Sequence, residues 1–345
     1  MVKITVGVVG AMGAVGTRMI KCIEESKLEV LDFVPLDVKE NAGKSVSFRG
    51  TDVTVLAAEK GSFKGIDIAL FSAGGEASAV LAPIAAEEGC TVIDNSSQWR
   101  MTQGVPLVVP EVNSHAAKAH KGIIANPNCS TIQMLVALKP LHDLFRIRRI
   151  VVSTYQAVSG TGLRAIKELE DQTRQFVRGE KLTHSVYPHQ ILFNCIPHID
   201  VFMDNGFTKE EMKMVNETRK ILEDDEILVC PTAVRVPVFR GHSESINIET
   251  EKPMPSAEEI KDILAKAPGV AVSDDRENDV YPMPVDCRDR GETFVGRIRR
   301  DPTVKNGLSL WVVSDNLMKG AAYNATQIAE LLCEKGWIRG EKRQI

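Results

Sequence analysis

The chain has 345 residues and a formal net charge of −4. That length exceeds one comfortable hydrophobic core and suits two domains, and a composition of 43% hydrophobic and 26% charged residues is that of an ordinary globular protein. The charge balance gives no basic footprint for nucleic acid, and the longest apolar runs, such as 66–73 with Asp67 inside it, fall far short of a membrane span.

The opening Met1-Val2-Lys3-Ile4-Thr5-Val6 runs straight into a strand-like segment, with no apolar signal core or small-residue cleavage site, so a cytoplasmic protein is expected. Val and Ile mark a buried strand over 4–9. An amphipathic helix follows over 15–26, with Met19, Ile20 and Ile23 on one side. Strands are expected over 29–36, 66–72, 90–93 and 122–125, with a helix over 77–88. This alternation predicts a parallel sheet covered by helices. Beyond Cys129 the pattern changes. Helices are expected over 131–144 and 163–177, and longer, alternating strands over 147–156, 227–229, 233–239, 244–251, 294–299 and 308–313. These predict a mixed sheet with helices on one face, an α+β domain. The tail over 319–335 is helical, with Ala321, Ala325, Ile328 and Leu332 at helical spacing and Gly336 as C-terminal cap. It is expected to return to the first domain, giving domains of 1–128 plus 316–345 and of 129–315.

Seven cysteines, at 22, 90, 129, 195, 230, 287 and 333, form no CxxC pair, so neither a zinc site nor a redox dithiol is expected. Most read as small core residues in a reducing compartment. Cys129 is the exception. In Asn126-Pro127-Asn128-Cys129-Ser130-Thr131 a strand ends, the chain turns, and a helix begins at the cysteine. A helix N-terminus stabilises thiolate, and its free N–H groups stabilise an oxyanion, as covalent catalysis at a carbonyl requires. Such a thiol needs a base. His242 is the best candidate, in a segment with Arg235 and Arg240 at the junction of two strands; His184, His189 and His198 lie in loop-like stretches and are weaker alternatives.

Between the first strand and first helix lies Gly10-Ala11-Met12-Gly13-Ala14-Val15-Gly16. Its glycines permit a tight turn and close approach of backbone to a pyrophosphate at the helix N-terminus. The GxxGxxG spacing is less specific than GxGxxG, but its position is where dinucleotide binding requires it. The second strand ends near Asp37, an acid placed to bind a ribose 2′-OH, with Lys39 and Glu40 close by.

Taken in order, these features resemble the aspartate-semialdehyde dehydrogenase family along essentially the whole chain. The matches are the glycine turn at 10–16, Asp94-Asn95-Ser96-Ser97 with Arg100, residues 126–131, Gln156-Ala157-Val158-Ser159-Gly160, Glu210-Glu211-Met212-Lys213, residues 235–242, and Asp315-Asn316. The resemblance implies a Rossmann-type domain with a second catalytic, substrate-binding and dimerisation domain. It also implies reversible, NADP-dependent reductive dephosphorylation of aspartyl 4-phosphate to aspartate 4-semialdehyde and phosphate, in biosynthesis of lysine through diaminopimelate, methionine and threonine. Cys129 would carry the acyl thioester, His242 act as general acid/base, and Gln156 orient the intermediate. Arg235 would clamp the substrate carboxylate, Glu210 pair with its ammonium, and Arg100 and Lys213 hold the phosphate, with Asn128 also in the substrate site. Gly10, Met12, Gly13, Ala14, Val15, Gly16, Lys39, Glu40, Asn41, Ser159, Gly160 and Asn316 would contact the cofactor. Partners would be small molecules and a second copy, as homodimer or homotetramer, without nucleic acid, membrane or metal. One departure stands out: Glu40 occupies a position where NADP-using members often carry Arg, and with Asp37 it makes NAD or dual use a live expectation. The nearest rivals are malonyl-CoA and N-acetylglutamyl-phosphate reductases, which lack the ammonium partner that Glu210 supplies. A non-catalytic dinucleotide sensor would need no Cys129–His242 pair.

Overall fold

A computed structural model describes residues 2–338. By internal contacts the chain divides into two units, one running to Asn128 and resuming at Ala321, the other Cys129–Gly320. Residues 339–345 of the C-terminal segment assigned above to the first domain lie outside the described residues.

The first unit is built from β1 (Ile4–Val9), α1 (Ala14–Glu25), β2 (Val30–Asp37), a hairpin of β3 (Ser45–Phe48) and β4 (Thr51–Thr54), β5 (Leu56–Ala57), β6 (Ile68–Phe71), α2 (Gly75–Glu87), β7 (Thr91–Asp94), a short α3 (Pro110–Asn113) and β8 (Ile123–Ala125). Six strands form one parallel sheet in the order β5-β2-β1-β6-β7-β8. β1, β6 and β7 are buried along their whole length because they are covered on both faces, hence their continuous apolar sequence. The final helix of the chain (Tyr323–Lys335) packs on α1. Gly336 caps it with φ +66, a left-handed conformation that suits glycine.

The second unit holds α4 (Cys129–Phe145), β9 (Ile147–Gln156), α5 (Leu163–Val177), α6 (Lys209–Leu222), β10 (Leu228–Arg235), β11 (His242–Thr250), α7 (Ala257–Ala265), β12 (Val270–Val272), β13 (Thr293–Asp301) and β14 (Gly307–Ser314). Its sheet runs β10-β9-β11-β14-β13-β12, parallel at both margins and antiparallel in the middle. α4 packs across β11, β13 and β14.

Two expectations change. The strands at 227–229 and 233–239 are one strand, β10, and residues 236–239 leave the sheet. Pro231 lies inside it, and because β10 is an edge strand its missing N–H is tolerated. The tail opens with a π-helical turn, Met318–Ala322, before its α-helix. The β3–β4 hairpin, α7 and β12 carry short, mixed patterns that periodicity did not resolve. Among the described residues no helix is long and apolar enough to cross a membrane, and no acid, His or Cys cluster could hold a metal.

The glycine turn generates a test. A Cβ on Gly16 would lie 2.0 Å from the Gly10 carbonyl oxygen, which is backbone and cannot step aside. Gly16→Ala is expected to lower the melting temperature by several degrees and to abolish dinucleotide binding, read by calorimetry. Unimpaired binding would show that the turn tolerates a side chain.

Candidate active site

In the first unit a cleft opens beyond the carboxyl ends of β1, β2 and β6, lined by Gly10, Met12, Gly13, Asp37, Asn41 and Ser72. The strand order reverses at β1, and such a switch point is where parallel sheets bind ligands. Gly10 has φ +80 and lies so close to Ser72 that a Cβ would approach its carbonyl oxygen to 2.5 Å. The residue preceding α1, Gly13, supplies no side-chain cap, so the first-turn N–H groups keep no side-chain acceptor. Ala14 and Val15 open the helix and Gly16 packs beneath it.

Asp37 faces this cleft but is already engaged. Its Oδ2 accepts from the Met12 N–H at 2.9 Å, and its Oδ1 from the Val38 N–H at 2.8 Å and Asn41 Nδ2 at 2.9 Å. Glu40 is exposed in a one-turn 3-10 helix, Lys39–Asn41. Lys39 pairs with Glu59 at 3.4 Å, and Lys44 donates to Asn41 Oδ1.

The turn before Cys129 is fixed by polar contacts. Arg100 Nε donates to the Asn126 carbonyl at 3.0 Å and Nη2 to that of Asn95 at 2.8 Å. Asn126 Nδ2 donates to Asn95 Oδ1, and Asn324 Nδ2 to Asn126 Oδ1, both at 2.6 Å. Asn128 is buried. Arg100 thus joins two carbonyls of the motifs that precede α4.

Cys129 is the first residue of α4 and is half-buried. Four other cysteines are buried core residues, and burial pushes the Cys287 and Cys333 thiols up to about 12. Gly320, in the π-helical turn, packs on Cys129: a Cβ there would lie 2.7 Å from Cys129 Cβ. Sequence reading missed this contact, whose trace was the run of small residues in the tail.

His242 opens β11 and is fully buried. Its Nδ1 accepts the Ala157 N–H at 3.0 Å, and its Nε2 has no partner. Burial first, and then the positive charge of Arg235, push its pKa down to about 3, with Glu210 acting weakly the other way. The imidazole is therefore neutral, and because Nδ1 accepts, its proton sits on Nε2. Arg235 ends β10. Its Nη1 donates to the Ala157 carbonyl at 2.8 Å, and Nε has no partner although buried. The guanidinium lies 6.0 Å from the Tyr187 ring. Among the described residues no carboxylate is within ion-pair distance of it. Gly160 faces both groups: a Cβ there would lie 3.0 Å from Arg235 Nη1 and 3.5 Å from His242 Nε2.

Glu210 and Lys213 lie on the same face of α6 and pair at 2.9 Å, with Lys213 also 2.8 Å from Asp200. Burial pulls the Lys213 ammonium down, but the two carboxylates outweigh it and hold it above the ordinary lysine range. Glu211 is consumed as the reciprocal cap with Thr208 and cannot serve the site. Two carboxylates and one ammonium leave one net negative charge. Asp200 gave no signal in the sequence. Gln156 Nε2 donates to Ser130 Oγ at 3.0 Å, Thr154 Oγ1 at 3.3 Å and Glu210 Oε1 at 3.2 Å, tying β9 to the first turn of α4.

Ser159 and Asn316 hydrogen-bond through their side chains at 2.9 and 3.1 Å, and Asn316 Oδ1 also accepts the Gly241 N–H at 2.9 Å. The two arginines of the segment part company: Arg240 is pinned between Asp315 and Asp289, and Arg235 keeps its charge unpaired.

Two family models match the chain, "Semialdehyde dehydrogenase, NAD binding domain" over residues 5–120 and "Semialdehyde dehydrogenase, dimerisation domain" over residues 138–319. The aspartate-semialdehyde dehydrogenase of Aquifex aeolicus is 55% identical over 96% of this chain and 99% of its own length, and that of Bacillus subtilis 50% identical over 95% and 96%. Among solved structures, aspartate semialdehyde dehydrogenase II of Vibrio cholerae complexed with ASA is similar at TM-score 0.94, with 48% identity over 97% of this chain and 99% of that one. The Candida albicans enzyme with NADP is similar at TM-score 0.77, with 27% identity over 98% and 100%.

Two outcomes are expected from this geometry. Gly320→Ala should slow alkylation of Cys129 by iodoacetamide on the order of tenfold, since the added methyl displaces the thiol from the helix N-terminus; an unchanged rate in peptide mass spectrometry would mean that Gly320 does not set its place. In nitrogen NMR of the unliganded protein, His242 should stay neutral from about pH 8 to about pH 5 with its proton on Nε2, and titration near 6.5 would contradict the assignment.

Proposed function

The chain belongs to the aspartate-semialdehyde dehydrogenase family, and from that premise we propose how its own residues conduct the NAD(P)-dependent reaction. The supporting observation is the buried, unpaired Arg235 guanidinium beside neutral His242, with Gly160 leaving the space before both open. A small anion with an adjacent carbonyl fits that chemistry. In the biosynthetic direction the substrate is aspartyl 4-phosphate.

Arg235 takes the α-carboxylate, whose two oxygens match a guanidinium fork. The net-negative Asp200–Lys213–Glu210 group receives the ammonium through Glu210. That feature disfavours the malonyl-CoA and acylglutamyl rivals, whose substrates lack a free ammonium. Arg100 and Lys213, with Asn128, hold the phosphate. Cys129 sulfur attacks the acyl carbon; the carbon–oxygen bond to phosphate breaks and a thioester remains on Cys129. A bound nicotinamide supplies the hydride that reduces this thioester. The carbon–sulfur bond of the resulting thiohemiacetal then breaks, releasing aldehyde and thiolate. His242 Nε2–H donates a hydrogen bond to the oxygen that gains charge in both steps, and Gln156 braces the first turn of α4. Proton transfer by His242 as general acid requires the imidazolium. Burial first, and then Arg235, oppose that form; a substrate carboxylate on Arg235 removes the second of these, so acid/base work is eased by substrate binding.

The dinucleotide is held by the turn from Gly10 to Gly16, which fits a pyrophosphate because its glycines exclude side chains and α1 has no cap. Lys39, Glu40 and Asn41 lie at the ribose end. There the chain departs from an NADP site. Asp37 in the cleft and exposed Glu40 repel a 2′-phosphate, while Lys39 already pairs with Glu59. NAD is therefore the favoured cofactor, with NADP the weaker alternative. Ser159 and Asn316 set the loop before His242 and stand ready for the nicotinamide end. The unit resuming at Ala321 is the dinucleotide domain, and Cys129–Gly320 carries the acyl chemistry. The second unit also carries the homodimer surface: the sheet face away from α4 bears Tyr155 against Trp311, with Tyr281 and Met283 in a groove. A homotetramer would pair such dimers. Reduced thiols and a nicotinamide supply fit the cytoplasm.

Phosphate-dependent reduction of NAD and of NADP with aspartate semialdehyde tests the reading. Turnover should require phosphate and vanish in Cys129→Ala. The kcat/KM ratio should favour NAD, and Glu40→Arg should raise NADP use about tenfold, the size of one charge-assisted contact. Activity surviving in Cys129→Ala would mean another nucleophile, and a strong NADP preference would sink the ribose assignment.

A further inference from the structure

Two residues beyond His242, on the same face of β11, lies an acid that the reaction as derived does not use. Glu244 has no exposed surface and pairs across the sheet with buried Thr154 of β9 and buried Val312 of β14. α4 covers this face and brings Gln133, one turn beyond Cys129, beside it. Neither carboxyl oxygen has a hydrogen-bond partner. Among the described residues no charged group acts on it from its own strand, from β9, from β14 or from α4. Burial pushes the carboxyl well above the usual carboxylate range, outweighing a downward pull from the nearby Gln133 side chain.

Gln133 supplies the complement. Its Nε2 donates to the backbone carbonyl of His242 at 3.4 Å, and its Oε1 is buried without a donor. A protonated carboxyl carries one O–H to donate. A single hydrogen bond from Glu244 to Gln133 Oε1 satisfies both orphaned groups. An ionised Glu244 would instead set acceptor against acceptor with no cation to relieve it. The line Glu244–Gln133–His242 then joins the strand holding the imidazole to the helix that begins at Cys129.

We propose that Glu244 is a positioning residue for the reaction: as hydrogen-bond donor to Gln133 Oε1, it fixes the brace that sets the His242 imidazole relative to α4. The inference rests on His242 and Cys129 acting as proposed above. A carboxylic acid kept neutral by an apolar site so that it can donate has precedent in enzyme chemistry.

The test uses the full chain with Glu244→Gln, Glu244→Leu and Gln133→Leu, beside wild type and Cys129→Ala. Glu244→Leu and Gln133→Leu should each lower kcat about tenfold with substrate KM within about twofold, because the reacting groups lose alignment and not their substrate contacts. Glu244→Gln should keep kcat within about threefold, since its amide N–H replaces the O–H. Protonation is read separately. In the unfolded chain Glu244 ionises above its ordinary value of 4.5 while the folded carboxyl stays neutral, so wild type loses stability as pH rises. The melting temperature of Glu244→Gln relative to wild type should therefore climb between about pH 4 and about pH 8. If Glu244→Leu does not fold, Gln133→Leu and this pH series carry the test. Wild-type kcat in the leucine variants, equal impairment in Glu244→Gln, or a pH-independent difference would each overturn the proposal while wild-type turnover leaves the site reading standing. Absent turnover in wild type would overturn both.

Discussion

Burying a charge without a partner costs several kcal/mol, and Arg235 bears that cost in the second unit. The residue is only 5% exposed, and its guanidinium donates to one backbone carbonyl and, among the described residues, finds no carboxylate. Much of the surrounding architecture follows from it. Ala157 gives its carbonyl to Arg235 and its N–H to His242 Nδ1, so one residue just past the end of β9 sets both groups. The positive charge helps to keep the imidazole neutral, and the N–H fixes which nitrogen carries the proton. Glycine at 160 is needed because any Cβ would press on both. An apolar replacement of the arginine would relieve the desolvation cost and remove the reason for the other three features.

The same logic separates two arginines five residues apart. Arg240 is locked to Asp315, which has no exposed surface, and so serves the frame. The residue after Asp315 is Asn316, which holds the Gly241 N–H and Ser159. One segment therefore holds the loop that leads into His242 by a charge pair and an amide together. Arg240 is spent on the frame, and Arg235 keeps a charge that the frame does not use. That division accords with the tendency of functional sites to keep charges that a purely structural design would neutralise.

Much of this was legible in the residues. Val- and Ile-rich runs gave the parallel strands, because strands buried on both faces must be continuously apolar. The switch to longer alternating strands after Cys129 marked the mixed sheet. The glycine turn and the Asn-Pro-Asn-Cys junction were local motifs, and local motifs survive in sequence. What stayed hidden was long-range pairing. Nothing near Lys213 announces Asp200, nothing near Cys129 announces Gly320, and nothing near Gln133 announces Glu244. Spacing along one helix correctly brought Glu210 to Lys213, but charge counting required the third member, and only then did the group read as net negative. The gap left between 229 and 233 closed only because β10 lies at the margin of its sheet, where Pro231 is tolerated.

That proline has a consequence for how copies of the chain meet. An open sheet exposes two rows of unpaired backbone groups that could recruit a strand from another molecule. Here one margin is β10, where Pro231 lacks the N–H needed to continue a ladder, and the other is β12, only three residues long. Both margins are thus poor templates for strand addition. Growth by strand addition at the rims is thereby disfavoured by covalent structure alone.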